Sequence, residues 1–432
     1  MTNSPTVEIL VASPQKSRLR SRRLWVTMLL GVSSGLPLAL LGSTLQAWYT
    51  DAGVSVVSIG ALSLVGQPYV FKFLWARLVD LFQIPGLGLR RGWILAMQIG
   101  LAMLFIGMSY LNPVTSPFFI AMLALAAATL SATQDIAVDA YRNDLLPVEE
   151  HGFGAGLYTA GARFAAYFSG GFALILAAFF GWQSTFILMA ICMLLLSIVT
   201  MIAPRLTPPE RAPMTFHNVM VEPFKVLLSK KSAWLLLVFI VIYKLGDAFA
   251  LQLTTTFLLR GVGFSLIDVG TIYKAVGLIA TIGGALVGGY FTSRISLFKS
   301  LFVFGMMQCL SICSFIVLAL VGKSYIVMAA TIFLEFFCTG LATAAFLALL
   351  MGMCDAHYNA TQFALLTALS AIGRVFIGPA AGLMVAAYGW ISYYTLGVIL
   401  AIPGLILLWF VRDAVEAIGD RQRQVRAHDY TD

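Results

Sequence analysis

The sequence predicts an all-α integral membrane protein, and three observations lead to this fold class. Hydrophobic residues make up 60% of the 432 residues and charged residues only 11%, whereas soluble domains carry about 25% charged residues. Apolar stretches of about 20 residues, long enough to cross the hydrocarbon core of a bilayer, recur along the chain. They lack the short alternating pattern of a membrane β-barrel. A soluble protein is therefore excluded.

Twelve apolar stretches predict twelve transmembrane helices. The first stretch is too long for the apolar region of a signal peptide and lacks a cleavage site of small residues, so we expect it to remain as the first helix. The predicted spans are 24–50, 56–76, 92–111, 117–141, 152–179, 182–203, 233–259, 265–290, 298–320, 325–351, 360–388 and 391–411.

One long polar interval divides the spans into two sets of six. Residues 204–232 contain five prolines and five basic residues, which is typical of a linker. The predicted organisation is a basic cytoplasmic arm (1–23), an N-terminal six-helix bundle (24–203), a cytoplasmic linker (204–232), a C-terminal six-helix bundle (233–411) and a cytoplasmic tail (412–432).

The two sets of six are related in sequence. The segment Gly53–Gly60 resembles Gly263–Gly270 at a separation of 210 residues, and Gly181–Trp182 matches Gly389–Trp390 at a separation of 208. Two matches at nearly one separation predict a parallel duplication. Such a duplication places a substrate site near the middle of the membrane, between two halves that rock to give alternating access.

Basic residues fall on one side of the predicted membrane. Of the 27 Lys and Arg residues, twenty lie on the side of both termini, and only Arg260 and Lys323 lie on the other. The positive-inside rule then predicts that both termini are cytoplasmic. This distribution accounts for the net charge of +8 without a nucleic-acid partner.

The basic run Lys16–Arg23 is either an orientation signal or a lipid-binding arm. We expect a monomer in the bilayer.

Ionisable residues inside the spans predict a polar path through the membrane, because hydrocarbon disfavours them by several kcal/mol each, about 2.5 to 3.5 on an insertion scale. Five of them lie about 14 to 21 Å into their spans, at about 1.5 Å per residue, and Asp247 can pair with Lys244 three positions earlier. That pair either serves the substrate or only neutralises itself.

The ionisable residues in the middle of the membrane comprise four cations and two anions, so we expect an anionic substrate. The predicted substrate-binding residues are the cations Arg163, Lys244, Lys274 and Arg374, and the ring-binding candidates Gln46, Trp48, Tyr69, Gln134, Tyr158, Tyr243 and Gln252. Trp48 is alternatively an interfacial anchor.

Three intramembrane carboxylates are candidates for carrying a coupled proton: Asp135, Asp247 and Glu335. All four histidines fall in predicted cytoplasmic loops or the tail. Asp135 is the first choice, because it has no basic neighbour in sequence, and a buried carboxylate without a cationic partner is suited to binding a proton. The five cysteines lie in or beside spans and indicate neither disulfides nor a zinc site. We expect no metal and no cofactor, only a proton gradient as the driving force.

A belt of charges at the cytoplasmic ends of the second and fourth spans predicts a gate. Asp139 and Arg142 are three residues apart on one helix, so they can pair. Lys72 either belongs to this belt or extends to the interface. The predicted gating residues are Lys72, Arg77, Asp80, Asp139 and Arg142.

Several segments together resemble the AmpG muropeptide permeases, which belong to the major facilitator superfamily. The segments that carry this resemblance are Gly31–Leu40, Leu62–Gly66, Phe71–Trp75, Ser131–Ile136, Tyr243–Phe249, Leu253–Leu258 and Thr361–Leu366.

The resemblance implies the major facilitator fold and proton-coupled import of N-acetylglucosaminyl-1,6-anhydro-N-acetylmuramyl peptides across the bacterial inner membrane for peptidoglycan recycling. In some bacteria these muropeptides also induce a β-lactamase. One departure concerns the loop signature of the superfamily. Residues Ala76–Leu81 match it only in part, and Arg90 and Arg91 are displaced by an insertion.

Other functions fit the sequence less well. A carrier of acetyl-CoA or another organic anion belongs to the same broader family and remains the alternative, although phosphate-rich cargo calls for more clustered basic residues. The net positive layer disfavours an efflux pump for cationic drugs. An enzyme is not indicated, because no metal-ligand spacing and no Ser–His constellation is present.

Overall fold

The computed structural model describes residues 22–76, 79, 82, 88–147, 150–206, 225–226, 233–354 and 359–429. Within these ranges every regular element is a helix. Ten apolar helices are long enough to cross a membrane, and two of them, Phe153–Ile202 and Gln362–Phe410, contain 50 and 49 residues. At about 1.5 Å per residue, each of these two is more than twice as long as about 30 Å of hydrocarbon requires.

Each of the two long helices is broken once, at a glycine with positive φ. These glycines are Gly181, with φ 78°, and Gly389, with φ 77°. The chain turns back there: Trp182 donates to Asp51 at one face of the bundle, whereas the carbonyl of Ile202 accepts from Arg22 at the opposite face. The ten apolar helices therefore make twelve crossings, as the sequence predicts.

The twelve crossings are followed by one more helix at the C-terminus. They are α1 (Arg22–Asp51), α2 (Val56–Leu74), α3 (Leu89–Ser109), α4 (Pro117–Leu145), α5 (151–180), α6 (182–202), α7 (Ala233–Val262), α8 (Leu266–Arg294), α9 (Leu297–Val321), α10 (Tyr325–Met353), α11 (359–388), α12 (390–410) and the C-terminal α13 (Arg412–Asp429).

The two faces of the bundle are named here by the connection between α6 and α7. The linker side is the face where α6 ends and α7 begins, and the far side is the opposite face. Helix α1 begins on the linker side, where Arg22 reaches the carbonyl of Ile202. Helix α13 packs on the same side, with Val415 fully buried and Gly419 against Leu297.

The sequence repeat has a matching backbone geometry. Gly53 and Gly263, which precede α2 and α8, both have φ 88°. The serine two residues later then caps the helix: Ser55 accepts from the Ser58 amide at 3.3 Å, and Ser265 from the Asp268 amide at 3.1 Å. A positive φ is unfavourable for residues with a Cβ atom, so this turn explains why glycine occurs at the same place in both copies.

Small residues allow the helices to approach closely. A Cβ at Gly35 of α1 would lie 2.0 Å from the Ala162 carbonyl oxygen of α5, and one at Gly284 of α8 would lie 2.1 Å from the Phe337 carbonyl oxygen of α10. Such contacts are typical of membrane bundles, where packing rather than water expulsion holds helices together.

The seam between α1–α6 and α7–α12 is formed by three helix pairs: α1 with α7, α2 with α11, and α5 with α8. Four π-helical turns lie on the seam helices α1, α5, α7 and α8: Leu40–Thr44, Phe168–Phe172, Phe257–Val262 and Val269–Tyr273. Such turns occur frequently at functional sites, and here they widen the helices where the two sets of six meet.

Candidate functional site

Eight of the ionisable side chains inside the bundle form two clusters, one on each side of the seam. The α4 cluster consists of Lys72, Asp135, Asp139 and Arg142. The α7 cluster consists of Lys244, Asp247, Glu335 and Arg374. Each contains two basic and two acidic residues.

In the α4 cluster, Asp135 has a cationic neighbour on another helix. The Nζ atom of Lys72 on α2 lies 4.0 Å from Oδ2 of Asp135 on α4. The expectation that no cation accompanies Asp135 is therefore wrong, because the partner is distant in sequence and close in the fold. Lys72 turns toward this carboxylate rather than only extending to the interface.

The spacing of Asp139 and Arg142 predicts an ion pair, and the structure contains it, with 3.4 Å between Oδ1 and the guanidinium. Arg142 also lies over the ring of Tyr158, 4.5 Å from Cζ to the ring centre. This contact connects α4 to α5 near the linker side. The other two predicted gating residues, Arg77 and Asp80, lie outside the described residues.

In the α7 cluster, the predicted pair of Lys244 and Asp247 is present at 3.7 Å. Arg374 of α11 is close enough to interact electrostatically with Asp247. Its side chain is exposed at the surface of the bundle, and α11 borders the seam. In the described part of the chain, Arg374 forms no ion pair within 4.0 Å. A cation in this position is available for an anionic ligand.

Glu335 is the most deeply buried carboxylate of the α7 cluster. Its side chain is 0% exposed, and Oε2 accepts a hydrogen bond from Ser311 of α9 at 2.6 Å. Among the described residues, Oε1 has no hydrogen-bond partner. A small cavity of about 10 Å³ lies nearby, lined by Asp247, Gln308 and Cys309 among others.

The remaining two predicted cations, Lys274 and Arg163, belong to the seam helices α8 and α5. Lys274 of α8 donates from Nζ to Ser43 of α1 at 2.9 Å and so bridges the seam. Arg163 of α5 is exposed and lies near Tyr167. Over the residues that the structure covers, neither is within 4.0 Å of a carboxylate. Neither cation is neutralised by a carboxylate, so each can pair with an anionic ligand.

Several ring-binding candidates are engaged in helix packing. Trp48 is 4% exposed and packs on Trp182 and Phe186. Gln134 is fully buried and donates to Ser33 of α1 at 3.0 Å. Tyr243 donates to the Leu301 carbonyl at 2.9 Å. These three are the weakest members of the predicted substrate-binding set, because binding would require them to leave these partners.

Two other ring-binding candidates lie beside the α4 cluster. Tyr69 of α2 and Tyr158 of α5 both interact electrostatically with Asp135. The phenol oxygen of Tyr69 is buried and, within the described ranges, has no hydrogen-bond partner. These tyrosines remain placed to contact a ligand at the seam.

The far-side end of the seam is closed by a ladder of hydrogen bonds between α1 and α7. Gln46 donates to the carbonyl of Gln252 at 2.8 Å, and the hydroxyls of Thr50 and Thr256 are 2.9 Å apart. Both pairs are 206 residues apart, so the two helices run parallel and in register. Gln46 and Gln252 were expected to bind substrate, but here they join the two helices.

Arg260 completes this closure and could not be identified from the sequence. Its guanidinium donates to the carbonyl of Val54 at 2.6 Å, of Tyr49 at 3.2 Å and of Thr50. Helix α1 ends at Asp51, so Arg260 binds the carbonyl end of this helix, where a cation is favourable. Its acceptors are main-chain atoms, which no sequence motif identifies. The only sequence signal was that Arg260 is one of two basic residues on its side.

Comparison with known proteins supports this description. The family model of the Major Facilitator Superfamily matches residues 25–378. An anhydromuropeptide permease from Escherichia coli K12 is 47% identical over 392 residues, which cover 90% of this chain and 80% of that protein. A putative transporter from Rickettsia conorii, AmpG 4, is 30% identical and covers 91% of this chain and 97% of its own length.

Solved structures share the fold at low sequence identity. A nucleoside transporter superposes with a TM-score of 0.71 at 13% identity and covers 92% of this chain and 99% of its own. A bacterial homologue of the human lysosomal transporter Spinster, in an inward-facing conformation, gives 0.69 at 14% identity, with 95% of this chain and 99% of its own covered. Two sets of six crossings are thus the fold that this chain shares with these solved structures. The family model and the 47% identical permease identify it as a membrane transporter and not an enzyme. The chain belongs to the major facilitator superfamily and, within it, to the AmpG-type permeases.

Proposed function

We propose that this permease imports anhydromuropeptides, N-acetylglucosaminyl-1,6-anhydro-N-acetylmuramic acid and its peptides, into the bacterial cytoplasm, driven by protons. The observation that carries the proposal is a set of three cations on seam helices, Arg163, Lys274 and Arg374, none of which has a carboxylate within 4.0 Å among the described residues. Peptide carboxylates are natural ligands for such groups. The relative that shares 47% of its residues is named for this substrate class.

Alternating access follows from the way the seam is closed. The hydrogen bonds of Gln46, Thr50 and Arg260 hold α1 and α7 together on the far side. Arg163 and Arg374, deeper in the bundle, are exposed. We interpret this arrangement as open toward the linker side. Import then requires a second arrangement in which the far-side bonds are broken and the two sets of six close at the linker side.

The direction of transport depends on orientation. The excess of basic residues on the linker side supports a cytoplasmic linker and cytoplasmic termini in the bacterial inner membrane. Periplasmic wall fragments would enter from the far side, and their import would serve peptidoglycan recycling. A membrane potential of 100 mV adds about 2.3 kcal/mol for each positive charge that moves fully inward.

Protons are the proposed driving ion, and Asp135, Asp247 and Glu335 are the candidates that carry them. Lys72 and Lys244 lie within 4.0 Å of the first two carboxylates. In the described ranges, no basic group lies within that distance of Glu335. This difference is the reason to examine Glu335 further.

The proposal is tested by uptake into proteoliposomes. The purified protein is reconstituted, and accumulation of labelled N-acetylglucosaminyl-1,6-anhydro-N-acetylmuramyl tripeptide is followed with and without an imposed pH gradient. We expect uphill accumulation only with the gradient and its loss with a protonophore. Labelled acetyl-CoA serves as the alternative cargo. The proposal would be contradicted if acetyl-CoA accumulated and the muropeptide did not. It would also be contradicted if muropeptide uptake did not depend on the pH gradient.

A further inference from the structure

Glu335 is an acidic group that its surroundings leave poorly compensated. It is 0% exposed, its Oε2 accepts one hydrogen bond from Ser311 at 2.6 Å, and its Oε1 has no hydrogen-bond partner among the described residues. Burying a charge without a partner is costly, and one hydrogen bond does not offset that cost. The carboxyl group therefore has a structural reason to exchange a proton.

The groups that surround Glu335 come from five helices. Lys244 and Asp247 on α7 are the charged ones, and both interact electrostatically with it. The others are neutral and titratable or polar: Tyr273 on α8, Cys309 and Ser311 on α9, Cys338 on its own helix α10, and Tyr394 on α12. The one nearby cation, Lys244, is already held by Asp247 at 3.7 Å. An ionised Glu335 therefore faces a second carboxylate.

The charge of the α7 cluster depends on this one proton. With Glu335 ionised, two cations, Lys244 and Arg374, balance two anions, Asp247 and Glu335. With Glu335 protonated, the cluster carries one net positive charge. The exposed member of the cluster is Arg374, whose planar guanidinium is suited to bind a carboxylate through two hydrogen bonds.

We propose that Glu335 binds the transported proton, and that this protonation makes Arg374 and Lys244 the binding site for a carboxylate of the substrate. This inference rests on the proposed function. The proton adds to the Oε1 oxygen, and the substrate carboxylate restores neutrality. When the cluster faces the cytoplasm, loss of the proton restores the negative charge of Glu335 and weakens the binding of the substrate carboxylate. Proton and substrate therefore enter and leave together.

The α4 cluster provides the matched comparison. Asp135 is also an intramembrane carboxylate, but Lys72 lies 4.0 Å from it and its side chain is 18% exposed. Its Oδ1, like Oε1 of Glu335, has no hydrogen-bond partner among the described residues, but its Oδ2 already has a cation beside it. Asp135→Asn therefore removes one intramembrane carboxylate without altering the α7 cluster.

The test is calorimetric binding of the anhydromuramyl tripeptide to the full-length protein in two buffers of different ionisation enthalpy, which reports the protons taken up on binding. We expect the wild type to take up about one proton at pH values where Glu335 is ionised, with affinity falling about tenfold per pH unit there. The affinity of Glu335→Gln for the tripeptide should change less than twofold over the same pH range, and this variant should take up no proton on binding. It should exchange substrate between equal pools but not accumulate it.

Several outcomes would overturn the inference. Proton uptake by Glu335→Gln at the wild-type level would overturn it. Loss of proton uptake in Asp135→Asn, with proton uptake retained in Glu335→Gln, would also overturn it. If Glu335→Gln does not fold, Arg374→Gln serves instead: proton uptake should fall, and a substrate with its peptide carboxylates amidated should bind it as well as the acid. A preference for the acid retained in Arg374→Gln would contradict the proposal. A wild type that does not bind the muropeptide at all would overturn the proposed function instead.

Discussion

At the scale of single residues, Arg260 shows how one side chain can close a seam. It lies at the far-side end of α7 and donates to the carbonyls of Tyr49, Thr50 and Val54 at the end of α1. The carbonyls of Tyr49 and Thr50 also accept the amides of Val54 and Gly53 in the turn that follows the helix. The cation adds a partner from the other half of the molecule, so opening the far side must break these bonds.

Replacing Arg260 should therefore shift the protein toward the far-side-open arrangement. A hydrogen bond to a charged group contributes about 1.5 to 3 kcal/mol, so loss of one such bond corresponds to a shift of about tenfold or more. Alkylation of a cysteine introduced at Val54 by a membrane-impermeant maleimide measures the opening. The rate should rise at least tenfold in Arg260→Ala.

The control is Lys323→Ala, which removes the other basic residue of the far side from an exposed loop position. It should leave the alkylation rate unchanged. An equal rate in Arg260→Ala and the unmodified background would show that Arg260 does not hold the seam.

Ion pairs within one helix could be predicted from the sequence, whereas contacts between different helices could not. The pairs Lys244–Asp247 and Asp139–Arg142 follow from a spacing of three residues. The proximity of Lys72 to Asp135 joins two helices, and a single sequence carries no signal of which helices are neighbours. The bonds of Arg260 go to main-chain oxygens, which every residue has.

At the scale of helices, the contact between α2 and α11 depends on glycine. A Cβ at Gly60 would lie 2.3 Å from the Gly378 carbonyl oxygen and 3.0 Å from Cα of Gly382. These are backbone atoms and cannot move aside as a flexible side chain can. The two helices belong to opposite halves, so their close approach exists only while the far side is closed.

Gly60→Ala should accordingly prevent far-side closure. We expect proton-driven uptake to fall at least tenfold and the cysteine at Val54 to become readily alkylated, with the protein still folded. Gly42→Ala is the matched variant, because a Cβ there meets nothing within 4 Å. Wild-type uptake by Gly60→Ala would show that the α2–α11 contact is not required for transport.

The number and order of the helices were predictable because hydrocarbon imposes a length and a composition on each crossing. The turns at Gly181 and Gly389 were recognised as repeat matches, and their φ of 78° and 77° supplies the reason for glycine there. The π-helical turns on α1, α5, α7 and α8 were not predicted. They arise from packing across the seam, which local sequence does not specify.

At the scale of the whole molecule, orientation decides the direction of transport. Two basic residues, Arg260 and Lys323, lie on the far side, compared with twenty on the linker side. A protease site inserted into 204–232 should therefore be resistant to protease added outside intact right-side-out vesicles. A site inserted beside Lys323 should be cut under the same conditions. Cleavage within 204–232 would reverse the assigned orientation.

For the whole molecule, we expect one polar seam to be reached alternately from the two sides of the membrane. Pulsed electron paramagnetic resonance measures this on a cysteine-free background with two label pairs, Val114 with Lys323 on the far side and Asn143 with Arg294 on the linker side. These four positions are exposed, and none of them belongs to either cluster. Across changes of pH and addition of muropeptide, the far-side distance should lengthen whenever the linker-side distance shortens, and the reverse. Two distances that lengthen together, or that do not respond to proton and substrate, would contradict the account.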